Sequence, residues 1–279
     1  MRWLRSPHQR WRSSTSLRHV GALLEAPTLG IAQKVSPDDS MYAGDRDHYF
    51  NVGQSALRCI RLALVSAQKT EINRILDLPC GYGRVLRALK AEFPAAQLTA
   101  CDLTHDAVQF CARTFGALPV ISQQRARDIE SQQRFDLIWC GSLLTHLNSN
   151  GWNEFLGLFD TLLDPGGALV FTTHGRWVAE RMRRGRYHYG LSEEQIRSLL
   201  ADYDRQGFGY QNYGDAPDYG ISVASPSWTC RQLETFSTMR LVAYKEATWD
   251  DHQDVIACCK DDRIGRGTPR TGGSYSGPA

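Results

Sequence analysis

No apolar run in the 279-residue chain is long enough to cross a membrane: the best stretch, Ala56 to Ala67, is broken by Arg58 and Arg61 and falls short of the roughly 18 residues a span needs. A secretory leader is missing too, because residues 1 to 20 scatter arginines and histidines where an unbroken apolar core would have to stand. The chain is therefore expected to stay in the cytoplasm. Its eight cysteines include no C-x-x-C pair and no histidines at zinc spacing, and several fall inside apolar strand patterns, so they read as reduced core thiols with neither metal nor disulfide duty. A formal net charge of +2 sets up no strong field, which removes charge-driven recruitment of a polyanion. Neither an arginine-glycine cluster nor an RNA-binding module is present, so nucleic acid is not an expected partner. There is no internal repeat.

With 42% hydrophobic residues the chain can bury one large core with a small addition. Residues 1–30 form a basic segment, with Arg2, Arg5, Arg10, Arg12 and Arg18 preceding the first acidic residue, Glu25; a solvated, flexible segment is expected there. Residues 31–70 read as a helical extension, expected to lie over the carboxyl edge of the sheet. Residues 71–262 carry the main domain, with an insert or cap at about 176–228. The Gly-, Ser- and Thr-rich end, 263–279, offers too little apolar surface to offset its ordering entropy and reads as a disordered tail.

Within the main domain, short apolar runs alternate with amphipathic stretches, the pattern of a mostly parallel sheet covered on both faces; the fold class is α/β, doubly wound. Strands are expected at Ile75–Leu78, Leu98–Leu103, Pro119–Ser122, Phe135–Cys140 and Ala168–Thr173, and later at Ile221–Ala224, Leu241–Tyr244 and Val255–Cys258. Thr104 can cap one helix, and Ser192 with Gln195 forms a capping box for another. Asp164-Pro165-Gly166-Gly167 reads as a turn, Glu246 to Asp254 as a polar loop, and Gly209 to Ser227, rich in Gly, Pro and Tyr, as a shaped loop over a site.

Residues 77 to 83, Asp-Leu-Pro-Cys-Gly-Tyr-Gly, suit a nucleoside cofactor with a charged tail. Gly81 and Gly83 remove two Cβ atoms where the strand turns into a helix, and Asp77 can orient the loop or bind an ammonium group. A phosphate cradle would need G-x-G-x-x-G, and Leu86 stands where the third glycine belongs. About twenty residues beyond the glycines, Asp102 ends the second strand beside Leu103, and its carboxylate can take both ribose hydroxyls. Asp128 can accept from an adenine amino group while Ile129 packs on the ring.

Over residues 72 to 175 the sequence resembles the class I S-adenosylmethionine-dependent methyltransferases. The resemblance rests on Asp77-x-x-Cys80-Gly81-x-Gly83, Asp102, Asp128-Ile129, the run Arg134-Phe135-Asp136-Leu137-Ile138, and Leu163-Asp164-Pro165-Gly166-Gly167. It implies a seven-stranded Rossmann-like sheet and S-adenosyl-L-methionine as cofactor. It also implies that Gly81 and Gly83 contact the methionyl part and sugar, Asp102 the ribose, Asp128 and Ile129 the adenine, and Cys140 with Gly141 the methionine side. Pro79 departs from the family, which usually has glycine there; it cannot donate an N–H and holds its stretch extended.

Methyl transfer from a sulfonium is an in-line displacement, and a hydroxyl acceptor needs a group to take its proton. His146 follows the fourth strand, His174 the fifth, and His252 sits in the late loop near carboxylates; these are the candidate bases. Tyr42, Tyr49 and Tyr219 are candidate walls of the acceptor pocket. The expected function is O-methylation of a small-molecule or carbohydrate-like (glycan) acceptor. Two other readings stay open: an NAD(P)-dependent oxidoreductase, disfavoured by the glycine spacing, and a methyltransferase-like scaffold that binds without chemistry.

Overall fold

A computed structural model describes residues 28–129, 133–214, 216 and 218–261. The flexible segment and tail expected at the two ends lie almost wholly outside these residues. The first helix among the described residues, α1 (Arg46–Ala67), is capped by the Asp45 carboxylate, which accepts from the His48 amide. Then follow β1 (Arg74–Asp77), α2 (Leu86–Glu92), β2 (Gln97–Asp102), α3 (His105–Phe115), β3 (Leu118–Ile121), β4 (Phe135–Cys140), α4 (Ser149–Leu162) and β5 (Leu163–His174). The cap comprises α5 (Arg176–Arg183), α6 (Glu193–Gln206), β6 (Phe208–Asn212) and β7 (Gly220–Ala224), and the chain returns through α7 (Pro226–Glu234), β8 (Met239–Trp249) and β9 (Gln253–Lys260).

Seven strands form one sheet in the order β3-β2-β1-β4-β5-β9-β8. β1 to β5 pair in parallel, and the β8–β9 hairpin joins antiparallel to β5. Central strands buried on both faces carry continuous apolar runs, as in Leu137–Cys140 of β4, which is buried throughout. One face is covered by α1, α2 and α3 through Leu57, Ile60, Leu86, Leu89, Val108 and Cys111. On the other, Trp152, Phe155 and Phe159 of α4 meet Trp228 of α7. The cap has a core of its own around Met182, Ile196, Leu199, Ile221 and Val223.

Several expectations are corrected. α1 lies along one face of the sheet, where its Val52, Ala56, Leu57 and Ile60 are buried, and only its N-terminal half meets the carboxyl edge, where Asp250 N donates to Ser55 Oγ and Trp249 Nε1 to Val52 O. The stretch 209–227 is no loop, because β6 and β7 pair as a separate two-stranded sheet. The Asp-Pro-Gly-Gly segment is the irregular start of β5, with Asp164 paired to Arg74 at 2.6 Å. β8 runs on to Trp249, which shortens the expected polar loop to three residues. Thr104 holds the N-cap position of α3 without a side-chain capping bond. The Ser192–Gln195 capping box is formed as read.

Candidate active site

The turn after β1 is fixed from both neighbouring strands. Leu78 N donates to Trp139 O of β4 and Cys80 N donates to Cys101 O of β2, which carries the ladder past Pro79 across a cis Leu78–Pro79 bond. Gly81 takes φ +49° and Gly83 φ +79°, left-handed values that favour glycine. A Cβ on Gly83 would stand 2.5 Å from the Phe115 ring of α3, whereas one on Gly81 would meet nothing within 4 Å. Gly83 therefore closes the helix onto its neighbour, and Gly81 leaves an open cradle at the sheet's edge.

Two carboxylates sit under this turn. Asp102 Oδ2 accepts from Gly81 N at 2.8 Å and Oδ1 accepts from Thr104 N at 2.9 Å, so one side chain braces the turns after β1 and β2 together. Each oxygen keeps a lone pair, enough for a pair of ribose hydroxyls. Asp77 is 1% exposed, and neither of its oxygens has a hydrogen-bond partner among the described residues. Burial first, and the Asp102 charge second, push its carboxyl well above the ordinary range. A buried, unpartnered carboxyl below an open glycine cradle is matched by a ligand that brings an ammonium group, and a nucleoside with an amino-acid tail meets both requirements.

The other cofactor candidates occupy the same edge. Leu103 is exposed beside Asp102, Asp128 is exposed, and Ile129 is buried at the end of a short 3-10 turn, Ala126–Asp128. Cys140 is fully buried, with its thiol pushed up by burial and then by Asp77. Gly141 lies so close to Trp139 and Trp249 that a Cβ would be 2.9 Å from each ring. At the next residue, Ser142, the backbone takes φ +60°; its amide donates to Thr172 Oγ1, Thr172 donates to Gln253 Oε1, and Gln253 Nε2 donates to the Ser142 hydroxyl. The reading of single motifs missed this network, because its three members lie on three separate strands or turns.

The three histidines come together. His146 donates through Nδ1 to Gly220 O at 2.8 Å and stacks on Tyr219 with centroids 5.1 Å apart; burial lowers its pKa. His174 lies 6.1 Å from His252 and 4.7 Å from Tyr189, centroid to centroid. Burial, then the nearby His252 and His146, hold its pKa at about 3. His252 Nδ1 donates to Asp250 O at 2.8 Å, within the short β8–β9 turn and not in an open loop.

Of the expected tyrosine walls, Tyr219 is half-exposed and stacks on His146, and burial, then the charge of Asp102, raises its pKa. Tyr49 is a correction: it is fully buried, donates to Asp39 at 2.6 Å and accepts from Arg87, so it braces the core and lines no pocket. Tyr42 packs edge-on against it at 5.5 Å. Arg87, not singled out in the sequence because arginine on a helix ordinarily points to water, is 1% exposed. It donates to Gly83 O and to Ala32 O and Lys34 O, which ties the segment before α1 to the glycine turn. That segment and the N-terminal half of α1 both approach the site: a Cβ on Gly53 would stand 2.8 Å from Arg84 O, next to Gly83, and Trp249 Nε1 donates to Val52 O.

Strand order, the open cradle and the paired carboxylates define a doubly wound nucleoside-binding domain of the methyltransferase type. Comparisons with known proteins agree. The family profile described as "Methyltransferase domain" matches residues 75–167. A malonyl-[acyl-carrier protein] O-methyltransferase 2 from Ilyobacter polytropus is 26% identical over 120 residues, 42% of this chain and 45% of its own. The chain thus spans less than half the length of the curated relatives it matches. Among solved structures, the fold is shared with Streptomyces venezuelae DesVI (TM-score 0.52, 15% identity, 79% of this chain and 95% of that one). It is also shared with the plantazolicin methyltransferase BpumL in complex with a substrate analog and SAH (TM-score 0.53, 14% identity, 81% and 91%). Residues 75–167 thus carry a methyltransferase domain, set in the Rossmann-like fold that S-adenosylmethionine-dependent methyltransferases share.

Proposed function

We propose that the protein is an S-adenosylmethionine-dependent O-methyltransferase acting on a small, carbohydrate-like or other hydroxyl compound held between the tips of β4 and β5 and the cap. The observation that carries this reading is the unpartnered Asp77 carboxyl beneath the Gly81 cradle, one turn from Asp102. Bound there, the cofactor supplies an electrophilic methyl group on a sulfonium. Asp77 would hold the ammonium, Asp102 the ribose hydroxyls, and Asp128 with Ile129 the adenine. Cys140 and Gly141 would flank the methionine side.

The protein's own contribution is alignment. The Thr172–Gln253–Ser142 network fixes the β4 tip, and Asp102 fixes the other two turns. Such fixing matters because an in-line displacement gains most from reactants held in near-attack geometry. The curated relatives carry O-methyltransferase in their names, which supports oxygen as the atom methylated here. Titration calorimetry with S-adenosylhomocysteine tests the reading: saturable 1:1 heat, lost in Asp102→Ala, is expected. Folded protein that gives heat with NADH and none with S-adenosylhomocysteine would refute it.

A further inference from the structure

We infer that Arg84, at the far end of the glycine turn from Asp77, holds the carboxylate of the cofactor's amino-acid tail. The inference rests on the cofactor reading above and adds the half of the tail which that reading leaves unassigned.

An α-amino acid carries its ammonium and its carboxylate on one carbon, so a site that takes the ammonium must supply a cation for the carboxylate close beside it. Asp77 ends β1 with both carboxyl oxygens buried and unpartnered. Seven residues on, Arg84 is half-buried and makes no hydrogen bond or ion pair among the described residues. The donors of its guanidinium fork are thus left without a protein acceptor. A carboxyl and a guanidinium stand at the two ends of one turn and do not pair with each other. A zwitterion satisfies both at once.

The contacts around Arg84 put its end of the turn on the methionine side. Gly83 N donates to Cys80 O, which closes the turn directly before Arg84. A Cβ on Gly53 of α1 would stand 2.8 Å from Arg84 O, so helix and turn approach backbone to backbone. One residue earlier in α1, Val52 O accepts from Trp249 Nε1, and the Trp249 ring is one of the two that leave no room for a Cβ on Gly141. The end of the glycine turn, the first half of α1 and the β4 tip therefore meet here.

Neighbouring charges are already engaged. Arg87 donates to the Ala32 and Lys34 carbonyls and to Tyr49, and Arg46 donates to Gln33 and lies over the Phe50 ring at 5.0 Å. Asp39 accepts from Tyr49 and from Met41 N, while Asp250 lies 3.6 Å from His48 and 3.8 Å from His252. Burial lowers the pKa of Arg84, with Asp250, Tyr49 and Asp39 opposing, and a guanidinium keeps its charge at neutral pH all the same. Its planar fork matches a carboxylate with two parallel bonds. With both ends of the amino acid held, the sulfur at the end of its short chain is fixed as well, which serves an in-line displacement.

The test is titration calorimetry with S-adenosylhomocysteine, with its decarboxylated analogue, which keeps the ammonium, and with 5′-methylthioadenosine, which has neither charge. Wild-type protein should bind the decarboxylated analogue about 10- to 100-fold more weakly than S-adenosylhomocysteine. Arg84→Met should lose that preference by binding S-adenosylhomocysteine more weakly, while its affinity for the other two compounds stays within about threefold of wild type. Arg84→Lys should keep part of the preference, since it retains the charge without the fork. Asp77→Asn should weaken both amine-bearing compounds and spare 5′-methylthioadenosine. An Arg84→Met protein that keeps the full preference, or that loses affinity for all three compounds alike, overturns the inference and leaves the cofactor reading intact. Equal binding of S-adenosylhomocysteine and its decarboxylated analogue by wild-type protein overturns it without recourse to any variant. Failure of all three to bind wild-type protein overturns both.

Discussion

Replacing Asp77 by asparagine should stabilise the cofactor-free protein while depriving it of its ligand. The side chain is buried with two unpartnered oxygens and a second carboxylate, Asp102, nearby, so the charged form is disfavoured. Leaving such a charged group unsatisfied rather than a neutral isostere costs about 1–3 kcal/mol, which for a domain of this size is worth roughly 2–10 °C in melting temperature. The sign follows from linkage. Because the folded-state pKa is raised, the folded protein binds the extra proton at low pH, and stability falls as pH rises through the ordinary carboxylate range toward the folded value. The gain from Asp77→Asn is therefore largest at neutral pH and shrinks toward pH 4. The same change removes a charge-assisted bond to the cofactor's ammonium, worth about 1.5–3 kcal/mol, or some 10- to 150-fold in S-adenosylhomocysteine affinity. Thermal denaturation from pH 4 to 8 and calorimetry read the two effects. A variant no more stable than its parent at pH 7 that also binds as well would refute the reasoning.

Arg87→Met should cost at least about 3 kcal/mol, because the Ala32, Lys34 and Tyr82 carbonyls and the Tyr49 hydroxyl lose the guanidinium as donor; faster amide exchange across residues 31–49, with the sheet still protected, checks it. Asp136 ties the start of β1 to β4 by accepting from the Asn73 and Arg74 amides and from Lys69. Burial raises its pKa, but these bonds outweigh that and hold it below the usual range, so its stabilising effect is present above the ordinary carboxylate pKa and lost as pH falls through the lower, folded value. Asp136→Asn should thus lower stability by about 1–3 kcal/mol at pH 7, with the deficit shrinking in acid, as urea melts at pH 7 and pH 3 would record. Gln253→Ala should leave S-adenosylhomocysteine affinity within a few fold yet loosen the β4 tip, read as faster exchange of the Ser142 amide.

The parallel strands were legible because strands buried on both faces are apolar along most of their length, as in Leu137 to Cys140, and Ser192 with Gln195 carries its helix start in four residues. The glycine turn was legible for a similar reason: Asp77 and Asp102 each end a strand, and Gly81 and Gly83 follow the first of them within six residues. Features made by distant pairing were not. Glu246 and Thr248 look like a loop, yet the edge strand β8 tolerates polar side chains because one of its sides faces solvent. The β6–β7 pair is rich in Gly and Tyr, and its strand character comes from pairing across seven intervening residues. Arg87 and Gln253 look like surface residues, and only the tertiary fold supplies the partners that permit their burial.

A crystal structure of the wild-type protein with S-adenosylhomocysteine tests the central claim most directly. The account predicts the ligand's ammonium within hydrogen-bond distance of an Asp77 oxygen and its ribose hydroxyls on Asp102. Density for the ligand elsewhere, or an adenosine turned so that Asp102 meets no hydroxyl, would contradict it.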